Sequence, residues 1–243
     1  MKGKKMYKKE SDEERVLILP NEKVAEFFSR AFFYPCDDRV DKIVHDVEWN
    51  ANFLDRAIAE SSKKVKQVIV YTIIRNERKI LFLKRSKNSN RKSLRLKNTI
   101  LFGGHINDLY DEPGNRLVKS LYRELSEELN IRPNCKPKLL GLVVDPTTDV
   151  GCRHLGVIFD TKIDSRKVFL LRKKDTSEFI GYDKNYSVEL KEADILLNEK
   201  KALPNIFNSF DSWSTLFLRS PLSNFLFGEN PRRESTLLEY GIY

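Results

Sequence analysis

Gly103-Gly104-His105-Ile106-Asn107, followed after a loop by Arg123-Glu124-Leu125-Ser126-Glu127-Glu128-Leu129-Asn130-Ile131, is the stretch on which the fold reading turns. Leu117, Leu121, Leu125 and Leu129 recur every four residues and Val118 widens the stripe, which is the pattern of an amphipathic helix. At 100° per residue, Glu124, Glu127 and Glu128 fall within roughly a 100° arc beside that stripe. Three carboxylates on one edge of a helix repel one another unless positive charge sits among them. A helix needing only solubility would alternate Glu with Lys at i,i+4. A hard divalent cation fits the arrangement, because Mg²⁺ takes oxygen ligands and bridges carboxylates to phosphate oxygens. Taken alone, the same acids also read as an ordinary solvated face.

They do not stand alone. An apolar strand over Thr99-Ile100-Leu101-Phe102 ends in the glycine pair, a loop follows, and Arg123 directly precedes the first glutamate. This order resembles the Nudix hydrolase signature: a glycine, a loop, and a helix bearing R-E-apolar-x-E-E-x-G-apolar. Asn130 stands where that signature has glycine, and Asn tolerates the left-handed conformation of a helix C-cap. Pro133 marks the helix stop. Two departures are visible. The loop is longer than the family's spacing, and the early glutamate of the signature falls on Asn115, with Asp111 and Glu112 nearby to take its place.

The resemblance implies an α/β (α+β) protein, a Nudix-type α/β/α sandwich with a mixed sheet, here with an N-terminal helical extension. It implies Mg²⁺ (or Mn²⁺) held by Glu124 and Glu128 as principal ligands, with Glu127 a further ligand or the base. Arg123 would orient a glutamate through a charge-assisted hydrogen bond. Gly103 and Gly104 would let the backbone turn and approach the site. Glu178 is a candidate for an additional ligand or base from a later segment; an exposed glutamate is its plain alternative. His105 and His154 lie in further matching stretches and are read as loop hydrogen-bonders, with His105 also a candidate substrate contact. Val16–Pro20, Leu140–Val143 and Val150–Val157 extend the likeness to a Nudix subgroup, the predicted MutT-family phosphoesterases, over residues 15–220.

Composition bounds the rest. The 243 residues, 40% of them hydrophobic, suffice for one elaborated domain with a substantial core. No apolar run approaches a membrane span, and no signal-peptide core opens the chain. Cys36, Cys135 and Cys152 are widely spaced and without CxxC pairing, the pattern of reduced thiols in a cytoplasmic protein. A formal charge of +9 points to an anionic partner, a phosphorylated small molecule or nucleic acid.

Along the chain, residues 1–14 read as a frayed basic tail and 15–62 as an extension packed on the core. Val16–Leu19 is a short strand, Asn21 caps a helix over 22–33 with Val24, Phe27, Phe28 and Ala31 inward, and 41–59 holds a short helical region. Residues 63–220 form the Nudix unit. It begins with a β-branched strand over Val65–Ile74 paired to Lys79–Arg85. In the following Lys84–Asn98, seven of fifteen residues are basic. Arg85, Arg91 and Arg95 there are candidates for a phosphate clamp, since guanidinium stabilises charge on phosphoryl oxygens. Strands are expected over 138–145, 153–163 and 167–171, a small helix over 186–198, and a longer helix from Pro204 to Leu218. Residues 221–243 would pack as an extension or mediate a homodimer.

The expected activity is hydrolysis of a nucleoside diphosphate linked to another moiety, with a phosphorylated small-molecule substrate and no membrane partner. A non-catalytic module binding nucleotide or RNA, and an RNA 5′-end or cap hydrolase, are the alternatives.

Overall fold

A run of four buried residues, Val16 to Leu19, sets the first strand, β1 (Arg15–Pro20), which is covered on both faces and runs into a short helix α1 (Asn21–Val24) and a 3-10 turn over Ala25–Ser29. Then follow β2 (Phe32–Pro35), α2 (Asp38–Trp49), β3 (Asn52–Asp55), α3 (Arg56–Ser61) and the twelve-residue β4 (Val65–Asn76). Next come β5 (Lys79–Ile80), β6 (Leu83–Lys84), β7 (Asn98–Thr99), β8 (Phe102–His105) and α4 (Arg116–Leu129). The chain continues through β9 (Lys138–Val144), β10 (His154–Lys162), β11 (Lys167–Phe169), β12 (Ser187–Glu189), β13 (Lys191–Glu192) and α5 (Ser212–Arg219). The computed structural model describes residues 14–77, 79–85, 92–108, 113–131, 133, 135–164, 167–169, 187–189, 191–192 and 209–223.

β4 is the spine of a mixed sheet. On one side it pairs in parallel with β10, and β9 and β2 extend the sheet antiparallel beyond. On its other side β1, β8 and β5 dock end to end along it, at Val65–Gln67, Ile69–Thr72 and Arg75–Asn76. Strand alternation divides β4 between two cores. Val68, Val70 and Ile74 join Leu117, Leu121, Leu125 and Leu129 of α4 and Val40, Ile43 and Val47 of α2. Ile69 and Ile73 join Trp213, Phe217 and Leu218 of α5 on the opposite face. The result is helix–sheet–helix layering. Arg75 grips Asp160 of β10 with two bonds, Nε to Oδ1 at 2.6 Å and Nη2 to Oδ2 at 2.7 Å.

Several local expectations give way to tertiary pairing. The helix expected over 22–33 stops at α1 and its 3-10 turn, because Phe32, Phe33 and Tyr34 extend as β2 against Leu142–Val144 of β9. Residues 15–62 place three strands in the sheet beside their helices, instead of a helical extension alone. Asn21 lies inside α1, its amide donating to the Lys63 carbonyl, and the cap position falls on Pro20. Phe53, placed in a helical region, lies on β3. Lys167–Phe169 does not continue the main sheet but pairs with Ser187–Glu189 in a separate ladder. The small helix expected over 186–198 is replaced, among its described residues, by β12 and β13, the latter hydrogen-bonded to β5. α5 begins at Ser212, where Asp211 accepts the Ser214 amide at 2.8 Å; the start expected at Pro204 lies outside the described residues. So do residues 1–13 and 224–243.

Candidate active site

α4 carries the acids because its apolar stripe is buried. Leu117, Leu121, Leu125 and Leu129 are each at most 1% exposed, which leaves one edge of the helix facing β8. Asn130 ends it at φ 50°, ψ 33°, in the left-handed region, and Ile131 N donates to Leu125 O at 3.1 Å. That is the closure a glycine would make, made here by Asn.

The glycine pair lies within β8 and does not follow it. Gly103 and Gly104 pair with Tyr71 and Val70 of β4. A Cβ on Gly103, at φ 143°, would sit 2.1 Å from the Val70 carbonyl oxygen. A Cβ on Gly104 would sit 2.6 Å from Oε1 of Glu124. The missing side chain is therefore what lets the Glu124 carboxylate lie against the strand.

Arg123 holds the site together. Its Nη2 is 2.8 Å from Glu124 Oε1 and donates to the His105 carbonyl at 2.9 Å, while Nη1 reaches Glu127 Oε2 at 3.3 Å. Burial opposes the guanidinium's charge, but Glu124 and Glu127 outweigh it and hold the group above its ordinary pKa. Glu124 is buried, Glu128 half-buried and Glu127 exposed. The donor set is all oxygen and suits a hard divalent cation. Among the described residues, though, no three His, Cys, Asp or Glu side chains converge on one point.

His105 turns to the other face of the sheet. Its Nε2 donates to Gln67 Oε1 at 3.1 Å and its ring stands edge-on to His154 at 5.5 Å. His154 Nδ1 donates to Val150 O at 2.6 Å. On that face lies a cavity of about 700 Å³, floored by Ile69, Tyr71 and Trp213 and rimmed by Arg85, Lys97 and Arg219. Tyr71 and Trp213 meet edge to face at 5.6 Å. Of the basic candidates, Arg85 is buried at this cavity, Arg95 is exposed and outside its lining, and Arg91 lies outside the described residues. Glu178, Asp111 and Glu112 also lie outside them.

Sequence reasoning missed Glu48, in the last turn of α2. Its Oε2 accepts the Arg116 amide at 2.9 Å and its Oε1 the Leu117 amide at 3.1 Å. The only signal for it was indirect: the acid absent at Asn115.

An α/β/α sandwich whose acid-bearing helix lies against a Gly-Gly strand is the Nudix fold. The solved structure of Tm1382, described as a candidate Nudix hydrolase, matches 84% of this chain and 96% of its own length. The TM-score is 0.62 at 22% sequence identity. Among curated proteins, Protein YmaB of Bacillus subtilis (strain 168) is 28% identical over 208 residues, covering 83% of this chain and 94% of YmaB. No family model matches the chain. No helix among the described residues is long and apolar enough to cross a membrane.

Proposed function

We propose that this chain is a Mg²⁺- or Mn²⁺-dependent pyrophosphohydrolase that cleaves a nucleoside diphosphate linked to another moiety. The observation that carries the reading is Arg123, which fixes Glu124 and Glu127 on one helix edge and ties them to the backbone of His105. A cation would be held by Glu124 and Glu128, with Glu127 as a further ligand or the base. When bound, it supplies charge that neutralises the diphosphate and lowers the pKa of the attacking water. Glu127, exposed at the helix edge, is the carboxylate with solvent access to take that water's proton. Arg123 keeps the neighbouring acids oriented and does not itself touch the substrate.

The cavity over Ile69 and Tyr71 is the proposed substrate pocket. Its aromatic and aliphatic floor suits a base or other flat group, and Arg85, Lys97 and Arg219 supply positive charge for phosphate oxygens. The β4 residues of its floor, Ile69 and Tyr71, pair with His105 and Gly103 of β8, the strand against which the Glu124 carboxylate lies. A soluble, cytoplasmic setting follows from the same reading.

A second reading, a non-catalytic module that binds nucleotide or RNA, draws on one observation: no three acids converge among the described residues. One experiment separates the two. Phosphate release is measured with Mg²⁺ or Mn²⁺ across dNTPs, nucleotide sugars, dinucleoside polyphosphates, NADH, ADP-ribose and capped RNA, beside Glu128→Gln. Metal-dependent turnover that falls at least about tenfold in the variant, some 1.4 kcal/mol on the barrier, supports the hydrolase. No turnover on any substrate, with nucleotide binding unchanged by the substitution, overturns it in favour of the binding module.

A further inference from the structure

The first turn of α4 has no local cap. A helix start leaves four backbone N–H groups without intrahelical partners. Asn115 occupies the cap position at φ −143°, ψ 8°, and its side chain makes no capping bond. The two oxygens of Glu48 take the Arg116 and Leu117 amides instead, from 68 and 69 residues earlier in the chain. A carboxylate there is favoured twice, by charge-assisted hydrogen bonding and by the positive end of the helix dipole.

Two further contacts join the same helix ends. The Arg116 guanidinium, on a residue only 5% exposed, turns back to donate to Val47 O at 3.1 Å and Ala51 O at 3.4 Å, and lies over the Phe53 ring at 5.7 Å. Gly114, at φ +90°, lies so near Trp49 that a Cβ would meet the indole at 2.9 Å. α2 is itself well placed to bear this. Asp37 caps it through the Arg39 and Val40 amides, and Val40, Ile43 and Val47 share a core with the α4 leucines.

We propose that Glu48 is a positioning residue for the acids of α4, supplying from α2 the anionic support that the signature lacks at Asn115. The inference rests on the hydrolase reading of that helix. Arg116 and Glu124 are separated by about 12 Å of helix rise. One end is fixed on Glu48, Val47 and Ala51; the other is fixed by Arg123 on His105. Helix rotation and sliding are thereby set at both ends, and with them the arc on which Glu124, Glu127 and Glu128 project. Releasing the first end frays the first turn and lets the arc move against Gly104.

The test compares wild type, Glu48→Ala, and Glu48→Ala/Asn115→Asp, in which an aspartate at the cap position restores negative charge beside the helix start. In Glu48→Ala, kcat falls about tenfold with KM within about twofold of wild type, and Mn²⁺ binding weakens about tenfold. Exchange at the Arg116 and Leu117 amides accelerates, and the NMR cross-peak of the Arg123 Nε–H shifts. The double variant returns all four readouts toward wild type. An Arg123 signal that does not move in Glu48→Ala overturns the proposal, as does a double variant that stays at the single variant's level. The NMR arm is read whether or not the protein turns over substrate. Absent turnover in wild type sinks the hydrolase reading alone, and an unmoved Arg123 sinks this one.

Discussion

The Glu124 carboxylate occupies the space that a side chain on Gly104 would need, with Oε1 2.6 Å from the point where a Cβ would stand. Gly104→Ala therefore displaces the acid or the strand. Overpacking of this kind costs about 1–3 kcal/mol, and the acid is the softer partner. Turnover is expected to fall at least about tenfold while the fold persists. Steady-state kinetics beside a denaturant melt checks both, and wild-type activity in the variant would remove the close approach from the mechanism.

Arg123 serves three acceptors with one planar fork, and a lysine cannot. Arg123→Lys retains the charge yet loses at least one of the Glu124, Glu127 and His105 contacts. A kcat loss of about tenfold or more is expected, larger than any change in KM. Equal kcat for the two proteins would show that charge alone suffices.

Arg75 and Asp160 join β4 to β10 as a buried bidentate pair, with side chains 12% and 2% exposed. Removing one partner strands the other's charge, at a cost of about 3–5 kcal/mol. Asp160→Ala should shift the urea midpoint accordingly, and Arg75→Met/Asp160→Leu should recover much of it. A single variant as stable as wild type would mean that water reaches the pair.

Acid should loosen α2. Burial works against the Asp37 charge, but the Val40 amide and Arg39 overcome it, and its pKa lies below the ordinary 3.8. Asp46 is lowered by Lys23 first and by Asn50. A carboxylate depressed in the folded state stabilises above its unfolded pKa and loses that contribution as pH falls through its folded value. Amide protection in α2 should hold from neutrality to about pH 5 and decline below about pH 4. Asp37→Asn/Asp46→Asn should flatten the decline; an unchanged acid profile would assign it to other carboxylates.

The cysteines should differ in reactivity. Burial first, then Asp41 and Asp37, push the Cys36 thiol up to about 12, leaving it protonated at neutral pH. Cys135 is exposed. Peptide mapping after brief iodoacetamide treatment at pH 8 should find Cys135 modified well before Cys36, and the reverse order would contradict the burial.

What the sequence made legible was local and periodic. The four-residue leucine repeat located α4, its Asn130 stop and the common edge of Glu124, Glu127 and Glu128. A β-branched run located β4, and β9 and β10 fall where strands were expected. What it hid were pairings between distant segments. Phe32 and Phe33 fall inside the helix expected over 22–33, yet extend because β9, more than a hundred residues later, offers a strand edge. Glu48 is one acid among many in the chain, and nothing local marks it as the partner of Arg116. Gly104 looked like a turn residue because nothing in one dimension shows a carboxylate lying against it.

The parallel pairing of β4 with β10 also dictates an order of assembly. The acid helix leaves the ribosome before residues 154–162, which complete the sheet on the side of β4 away from β8. Until they emerge, β4 has an open edge at the heart of the future core, and the Asp160 that will hold Arg75 does not yet exist. Such non-local pairing is slow to form and exposed to aggregation. A nascent chain stalled anywhere between Asn130 and Arg153 thus carries its complete set of signature acids on a sheet that cannot yet close around them.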